Sequence, residues 1–265
     1  MKLNSGVKNW DNGNILELDI PKQLDRTVMT GARWFDEATG GFGLTPSMCG
    51  FLTGSPGAGK TTAMLQLADS LMKLGHSAIY NTQEESLYQV RKVVRRLDLK
   101  HGFYAMQEEH TPTLLNHATD ILKKTSRRKA KDGQPAQTVL IIDSLQVMDD
   151  GKYGDGARNS RTPIRVVDQV MNWCKDNFGI CLMISQVTKD GSIAGHNALR
   201  HAVDFHAKLY FDEDKKSDLF GERCFKFNKN RFGAIGKGSI VGMSNKGLTY
   251  KGHFMLPGFE SSEEE

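Results

Sequence analysis

Gly54-Ser55-Pro56-Gly57-Ala58-Gly59-Lys60-Thr61 is the stretch that decides the fold. It places a glycine, four residues, a second glycine, a lysine and a threonine between a short apolar run, Cys49-Gly50-Phe51-Leu52-Thr53, and a helix-like run starting at Thr61. Strand, glycine-rich turn and helix in that order make a phosphate-binding loop. Glycines let the backbone curl so that several N–H groups point at phosphate oxygens, and the following helix adds the positive end of its dipole. The nucleotide-binding candidates are therefore Gly54, Ser55, Pro56, Gly57, Ala58, Gly59, Lys60, Thr61 and Thr62. Lys60 would reach the β and γ phosphates, and the Thr61 hydroxyl is placed for Mg²⁺.

Downstream of the loop, Met64, Leu65, Leu67, Ala68, Leu71, Met72 and Leu74 recur at helical spacing until Gly75 ends the run. They read as core. Residues 77–82 form a second strand that closes on Gln83-Glu84-Glu85-Ser86, and 87–97 a helix with Leu87, Val90, Val93, Val94 and Leu97 inward and Arg91, Lys92, Arg95 and Arg96 on the other side. A short strand near 103–106 precedes a helix that carries Pro112 in its first turn and runs out into the basic stretch 123–131. That stretch is a candidate phosphate contact or a solvated helix end. Thr138-Val139-Leu140-Ile141-Ile142-Asp143 is a continuous apolar strand, as expected where helices cover both faces of a sheet. Its terminal carboxylate, Asp143, is placed to hold the Mg²⁺ of a nucleoside triphosphate together with Thr61.

The polar, glycine-rich segment 149–161 should be a mobile loop on the ligand-binding edge. A helix over 163–178, a buried strand over 180–185 and a second polar loop over 188–197 follow. From residue 203 the pattern changes to strands and turns: 203–211, 223–227, 239–243 and 247–250, read as antiparallel strands added to a parallel sheet. The fold class is thus α/β, a mostly parallel twisted sheet flanked by helices with antiparallel strands at its C-terminal end.

Ahead of the loop, Leu16, Leu18 and Ile20 alternate with charges as in a half-buried strand, docked on its own domain or on a neighbouring subunit. Thr30 caps a short helix, and Gly40-Gly41-Phe42-Gly43 turns into the first core strand. The expected division is an arm over 1–29, a nucleotide-binding domain over 30–252 and an acidic tail over 253–265. The net charge of the 265 residues is only +4, so the total says little about partners. Four cysteines without a CxxC pair suggest reduced core thiols rather than a zinc site or disulfides. No apolar run approaches the roughly 20 residues of a membrane span, and the N-terminus lacks the apolar segment of a signal peptide, so the expected location is the cytoplasm.

Several spaced motifs then coincide: Thr30-Gly31, Gly40-Gly41-Phe42-Gly43-Leu44, the loop through Thr62, Gln83-Glu84-Glu85-Ser86, Leu140-Ile141-Ile142-Asp143-Ser144-Leu145-Gln146, the segment from Gln186 to Gly195, and Lys229-Asn230-Arg231-Phe232-Gly233. On these the chain resembles the RecA-type ATPase core, most closely the bacterial RadA (Sms) branch-migration ATPases, along almost all of 30–250. The family's usual N-terminal four-cysteine zinc module and C-terminal Lon-like domain have no counterpart here, so the chain looks like a stand-alone ATPase core, bacterial or phage-encoded. The resemblance implies ATP and Mg²⁺ as cofactors. It makes Lys60 the γ-phosphate contact, Thr61 and Asp143 the metal anchors, Glu84 the carboxylate that activates water with Glu85 as fallback, and Gln186 the γ-phosphate sensor. It makes Lys229 and Arg231 a finger reaching the ATP of an adjacent subunit. It also implies a homo-oligomer (a ring, by this likeness a hexamer, or a filament) with single-stranded DNA contacted by Lys189, Arg200, Lys152 and Arg158, alongside recombination or replication proteins as partners. Base stacking should be weak, with Tyr153 the aromatic candidate. A DnaB-like helicase, a RecA-like recombinase and a KaiC-like regulatory ring without DNA are the alternatives.

Overall fold

The computed structural model describes residues 15–17, 19–185, 197–256 and 258. In chain order its elements are α1 (Arg33–Ala38), β1 (Cys49–Thr53), α2 (Lys60–Lys73), β2 (Ser77–Thr82), α3 (Leu87–Arg96), β3 (Tyr104–Met106), α4 (Thr111–Thr125), β4 (Thr138–Asp143), α5 (Thr162–Asn177), β5 (Ile180–Ile184), α6 (Asn197–Ala202), β6 (Phe205–Phe211), β7 (Arg223–Asn230), β8 (Lys237–Ser244) and β9 (Gly247–Met255). The nine strands form one sheet in the order β3-β2-β4-β5-β1-β6-β7-β8-β9. From β3 to β6 the pairing is parallel, and from β6 onward it is antiparallel.

Helices cover the two faces of the sheet, and the core divides accordingly. One cluster joins Trp34 and Phe35 of α1 and Met64, Leu65, Leu67, Ala68 and Leu71 of α2 to Leu52, Phe205, Phe225 and Phe227. The other joins Leu114 of α4, Val166 and Val170 of α5 and Leu199 of α6 to Phe51, Leu140, Ile142 and Met183. Successive residues of β1 and β4 thus face opposite clusters. That is why the middle residues of these strands are apolar on both faces and every position is buried. Local signals agree with the boundaries. Ser86 and Gln89 form a reciprocal capping box at α3 (Gln89 N–H to Ser86 Oγ 3.2 Å, Ser86 N–H to Gln89 Oε1 2.8 Å), and Pro112 sits in the first turn of α4.

Four expectations are corrected. Residues 15–17 form a 3-10 turn instead of a strand, with Ile15, Leu16 and Ile20 exposed; Leu18 lies outside the described residues. Alternation alone supplies no partner edge, so the pattern was not enough. Thr30 is not the helix cap: Ala32 is, and Thr30 donates its hydroxyl to Asp36 Oδ1 at 2.8 Å while accepting from Ala32 N–H at 3.2 Å. The strand after residue 203 is β6, which lies parallel to β1 and only then turns antiparallel with β7. Finally, the base of the 149–161 loop is anchored: Asp149 and Asp150 are buried, Thr111 N–H bonds Asp149 O at 2.8 Å, Asp149 N–H bonds Glu109 O at 2.8 Å, and Arg165 pairs with Asp150. Of the expected tail, 253–265, residues 253–255 belong to β9, and residues 257 and 259–265 lie outside the described residues. No described helix is long and apolar enough to cross a membrane.

Candidate functional site

The phosphate-loop residues lie between β1 and α2, at the carboxyl edge of the sheet. Two features force glycine here. Gly59 has φ +100°, a left-handed backbone, and a Cβ at Gly54 would lie 1.9 Å from the Leu209 carbonyl oxygen. The loop can therefore approach β6 closely and still turn into the helix. Ala63 N–H bonds Gly59 O at 2.8 Å, so the amides of residues 60–62 are those at the open end of α2, where a helix has no carbonyls of its own to offer. This is an anion cradle.

Lys60 bends back over the loop, its Nζ donating to Gly54 O at 2.8 Å and Ser55 O at 3.1 Å. Burial pushes its pKa down, with Asp143 and Glu84 opposing the shift. Thr61 Oγ1 donates to Asp143 Oδ2 at 2.8 Å, so the two expected metal anchors meet although they are far apart in sequence. Burial pushes Asp143 above the usual carboxylate range, against the hydrogen bonds from Tyr80 and Thr61, while nearby Glu84 adds to the rise and Lys60 opposes it. The Asp143 carboxylate beside the Thr61 hydroxyl is a donor set of oxygens, suited to Mg²⁺, with the Lys60 ammonium left to meet phosphate. Glu84 is on the exposed side, and Ser144 Oγ donates to its Oε1 at 2.5 Å.

Lys60, Thr61, Thr62, Glu84 and Asp143 line one cavity of about 830 Å³ with Gly54, Pro56, Gly57 and Gly59. Ser55 and Ala58 do not line it; Ala58 is fully buried beneath the loop. Of the two adjacent glutamates, Glu84 lines the cavity and the fallback Glu85 does not. The rest of the cavity lining, which the sequence did not reveal, consists of Arg96, Ser144, Ile184, Met243, Ser244 and Asn245. Arg96 Nη1 donates to Asn245 O at 3.0 Å, and Gln66 of α2 accepts from Leu248 N–H at 2.7 Å, so the β8–β9 turn is held against the nucleotide loop from two sides. The residues present fit a nucleoside triphosphate with its metal.

The remaining candidates fall elsewhere. Lys229 Nζ donates to Val203 O at 2.6 Å and His201 O at 3.2 Å, and Arg231 Nη1 pairs with Asp204 Oδ1 at 3.0 Å. Asp204 Oδ2 in turn accepts from Cys49 N–H at 3.1 Å, at the first residue of β1. Lys229 and Arg231 therefore lie at the amino edge of the sheet, a strand length from their own loop, roughly 13 Å at about 3.3 Å per residue. Lys152 and Arg158 lie on the loop after Asp149: Lys152 Nζ is 5.6 Å from the Tyr153 ring centre, as is the Arg165 guanidinium, and Arg158 pairs with Glu109 at 2.8 Å. The basic stretch 123–131 begins in the last turn of α4 and runs past it, and Arg128 Nη2 donates to Ser77 Oγ at 2.6 Å at the start of β2. It is thus on the amino edge, away from the nucleotide loop. Gln186 and Lys189 lie outside the described residues, and Arg200 falls on α6.

Phosphate loop, strand-end carboxylate and parallel sheet together define a P-loop ATPase of RecA-like architecture. Residues 45–184 match the family described as an AAA domain. The chain belongs to that family, and it is similar to the ATPase region of DNA repair protein RadA. RadA of Haemophilus influenzae is 30% identical over 230 residues, covering 87% of this chain and 46% of its own length. The chain thus spans about half the length of the curated relatives it matches. Among solved structures, the ATPase domain of G40P superposes with a TM-score of 0.68 at 13% identity, covering 83% of this chain and 89% of that one. A DnaB-like replicative helicase gives 0.65 at 14% identity, covering 82% and 60%. These two likenesses are of fold.

Proposed function

We propose that this chain hydrolyses MgATP at interfaces between its own copies, in a ring or filament, and uses the turnover to move along single-stranded DNA in recombination, repair or replication. The observation that carries the reading is the separation of the two halves of the site. Lys60, Thr61, Glu84 and Asp143 share the cavity, whereas Lys229 and Arg231 sit at the opposite edge and cannot reach it within one chain. Phosphoryl transfer needs positioned water and neutralised charge more than covalent chemistry. Lys60 binds the γ phosphate, Thr61 and Asp143 hold the cation, and Glu84, fixed by Ser144, orients and deprotonates water. Mg²⁺, when bound, supplies charge neutralisation on the β and γ oxygens. An adjacent copy brings Lys229 and Arg231 as the finger, a contribution on the order of 10³ to 10⁵ in rate. Gln186 senses the γ phosphate. Lys152 and Arg158, with Lys189 and Arg200, contact DNA phosphates; Tyr153 beside Lys152 offers a stacking surface. The names of the RadA and DnaB-like proteins support the link to DNA repair and replication.

The test is ATP hydrolysis against protein concentration, with and without single-stranded DNA, at two salt concentrations. A steep rise with concentration and DNA stimulation that fades with salt is expected. Concentration dependence without a DNA effect would remove the motor and leave a KaiC-type regulatory ring. Turnover per chain that is independent of concentration would overturn the interface site.

A further inference from the structure

We infer that Tyr80 is a positioning residue for the magnesium carboxylate, fixing Asp143 through its phenol; this rests on the MgATP reading above. Tyr80 lies on β2, beside β4, with Thr82 in register with Asp143. It is among the largest fully buried side chains, and its ring meets Phe103 edge-on at 5.9 Å. Its hydroxyl donates to Asp143 Oδ2 at 2.6 Å, the same oxygen that accepts from Thr61 Oγ1 at 2.8 Å.

The geometry assigns the two hydroxyls different duties. Thr61 is itself a proposed ligand of the cation, so its oxygen is shared between metal and carboxylate. Tyr80 does not line the nucleotide cavity, and its phenol donates to the carboxylate from behind. The two donors come from different elements, α2 and β2, and converge on one oxygen, so the carboxylate cannot rotate without breaking both bonds. Mg²⁺ demands near-octahedral geometry and gives up water reluctantly, so the direction in which Asp143 presents its oxygens matters more than for a softer, larger ion. A buried tyrosine also needs an acceptor for its O–H, so the pair satisfies both partners. A phenylalanine would keep the packing on Phe103 and lose only the donor.

The experiment is a Mg²⁺ titration of the binding of fluorescent N-methylanthraniloyl-ADP, which requires no turnover, by the wild type, Tyr80→Phe, Asp143→Ala and the double variant. Loss of an outer partner of a metal ligand costs roughly 10–100-fold in metal affinity. Tyr80→Phe should therefore shift the Mg²⁺ midpoint upward by about tenfold or more on that scale. Affinity at saturating Mg²⁺ and in EDTA should stay at the wild-type value, a split that general damage to the fold would not give. In the Asp143→Ala background Tyr80→Phe should add nothing. An unchanged midpoint, an equal loss of affinity in EDTA, or full additivity in the double variant would overturn the inference while leaving the MgATP reading intact. A wild type whose ADP binding ignores Mg²⁺ would overturn that reading and this inference with it.

Discussion

Ser144 follows Asp143, the proposed metal ligand, in sequence but serves a different group, donating to Glu84 across 60 positions of chain. Glu84 is exposed, and that donor holds one of its carboxylate oxygens at the mouth of the cavity. Ser144→Ala should lower kcat by about tenfold, the lower end for a hydrogen bond to a charged group worth roughly 1.5–3 kcal/mol, with the ATP dissociation constant retained. Steady-state kinetics beside equilibrium binding checks this, and an equal loss in both would make the hydroxyl part of nucleotide binding. Gly54→Ala is expected to damage the loop itself, because the added methyl would meet the Leu209 carbonyl. A lowered unfolding temperature and lost ADP binding, measured together, would show it; wild-type values for both would refute it. Lys60, Thr61 and Asp143 were legible because each has a fixed place relative to a strand end in a linear pattern. Tyr80, Ser144, Arg96 and Met243 were not, since what matters for them is contact between elements. Arg96 reads as an outer-face residue of its helix, and nothing local says that a turn some 150 residues later closes on it.

At the level of elements, the aromatic cluster explains how the appended antiparallel strands are fastened. Trp34 and Phe35 of α1 pack on Phe225 and Phe227 of β7, with ring centres 4.8 Å apart for Trp34–Phe225 and 5.4 Å for Phe35–Phe227. Phe225→Ala removes the ring at the centre of that contact and should cost about 3–5 kcal/mol. The shift of the urea midpoint at unchanged slope reads it out, and a loss below about 1 kcal/mol would mean the strands are held elsewhere. β1 and β4 match their expected ranges because a largely apolar run ended by glycine or a carboxylate has few other interpretations, and β2 matches because Gly75 before it and the polar 83–86 segment after it bound the run. The errors cluster where the pattern is the same for two topologies. Period-two alternation before residue 21 suited a strand without a partner. The sequence of β6 carries no mark distinguishing a parallel neighbour on one side from an antiparallel one on the other.

For the whole molecule, the decisive test of the divided site uses two inactive proteins. On the proposed reading, Lys60→Ala lacks a working loop and Arg231→Ala lacks a finger. Each alone should turn over ATP at least 10²-fold more slowly, given what a finger contributes, while their mixture should recover a fraction of wild-type activity. No recovery on mixing would assign Arg231 to its own chain, against its place beside Asp204 at the far edge.

That same placement has an arithmetic consequence. Each chain carries a loop on one edge and a basic pair on the other, so a linear array of copies leaves an unmatched loop at one terminus and an unmatched pair at the other. A closed array leaves none. Specific activity would then climb with length in an open assembly, as the idle terminal loop is diluted among working ones, and would be indifferent to length once the array has closed.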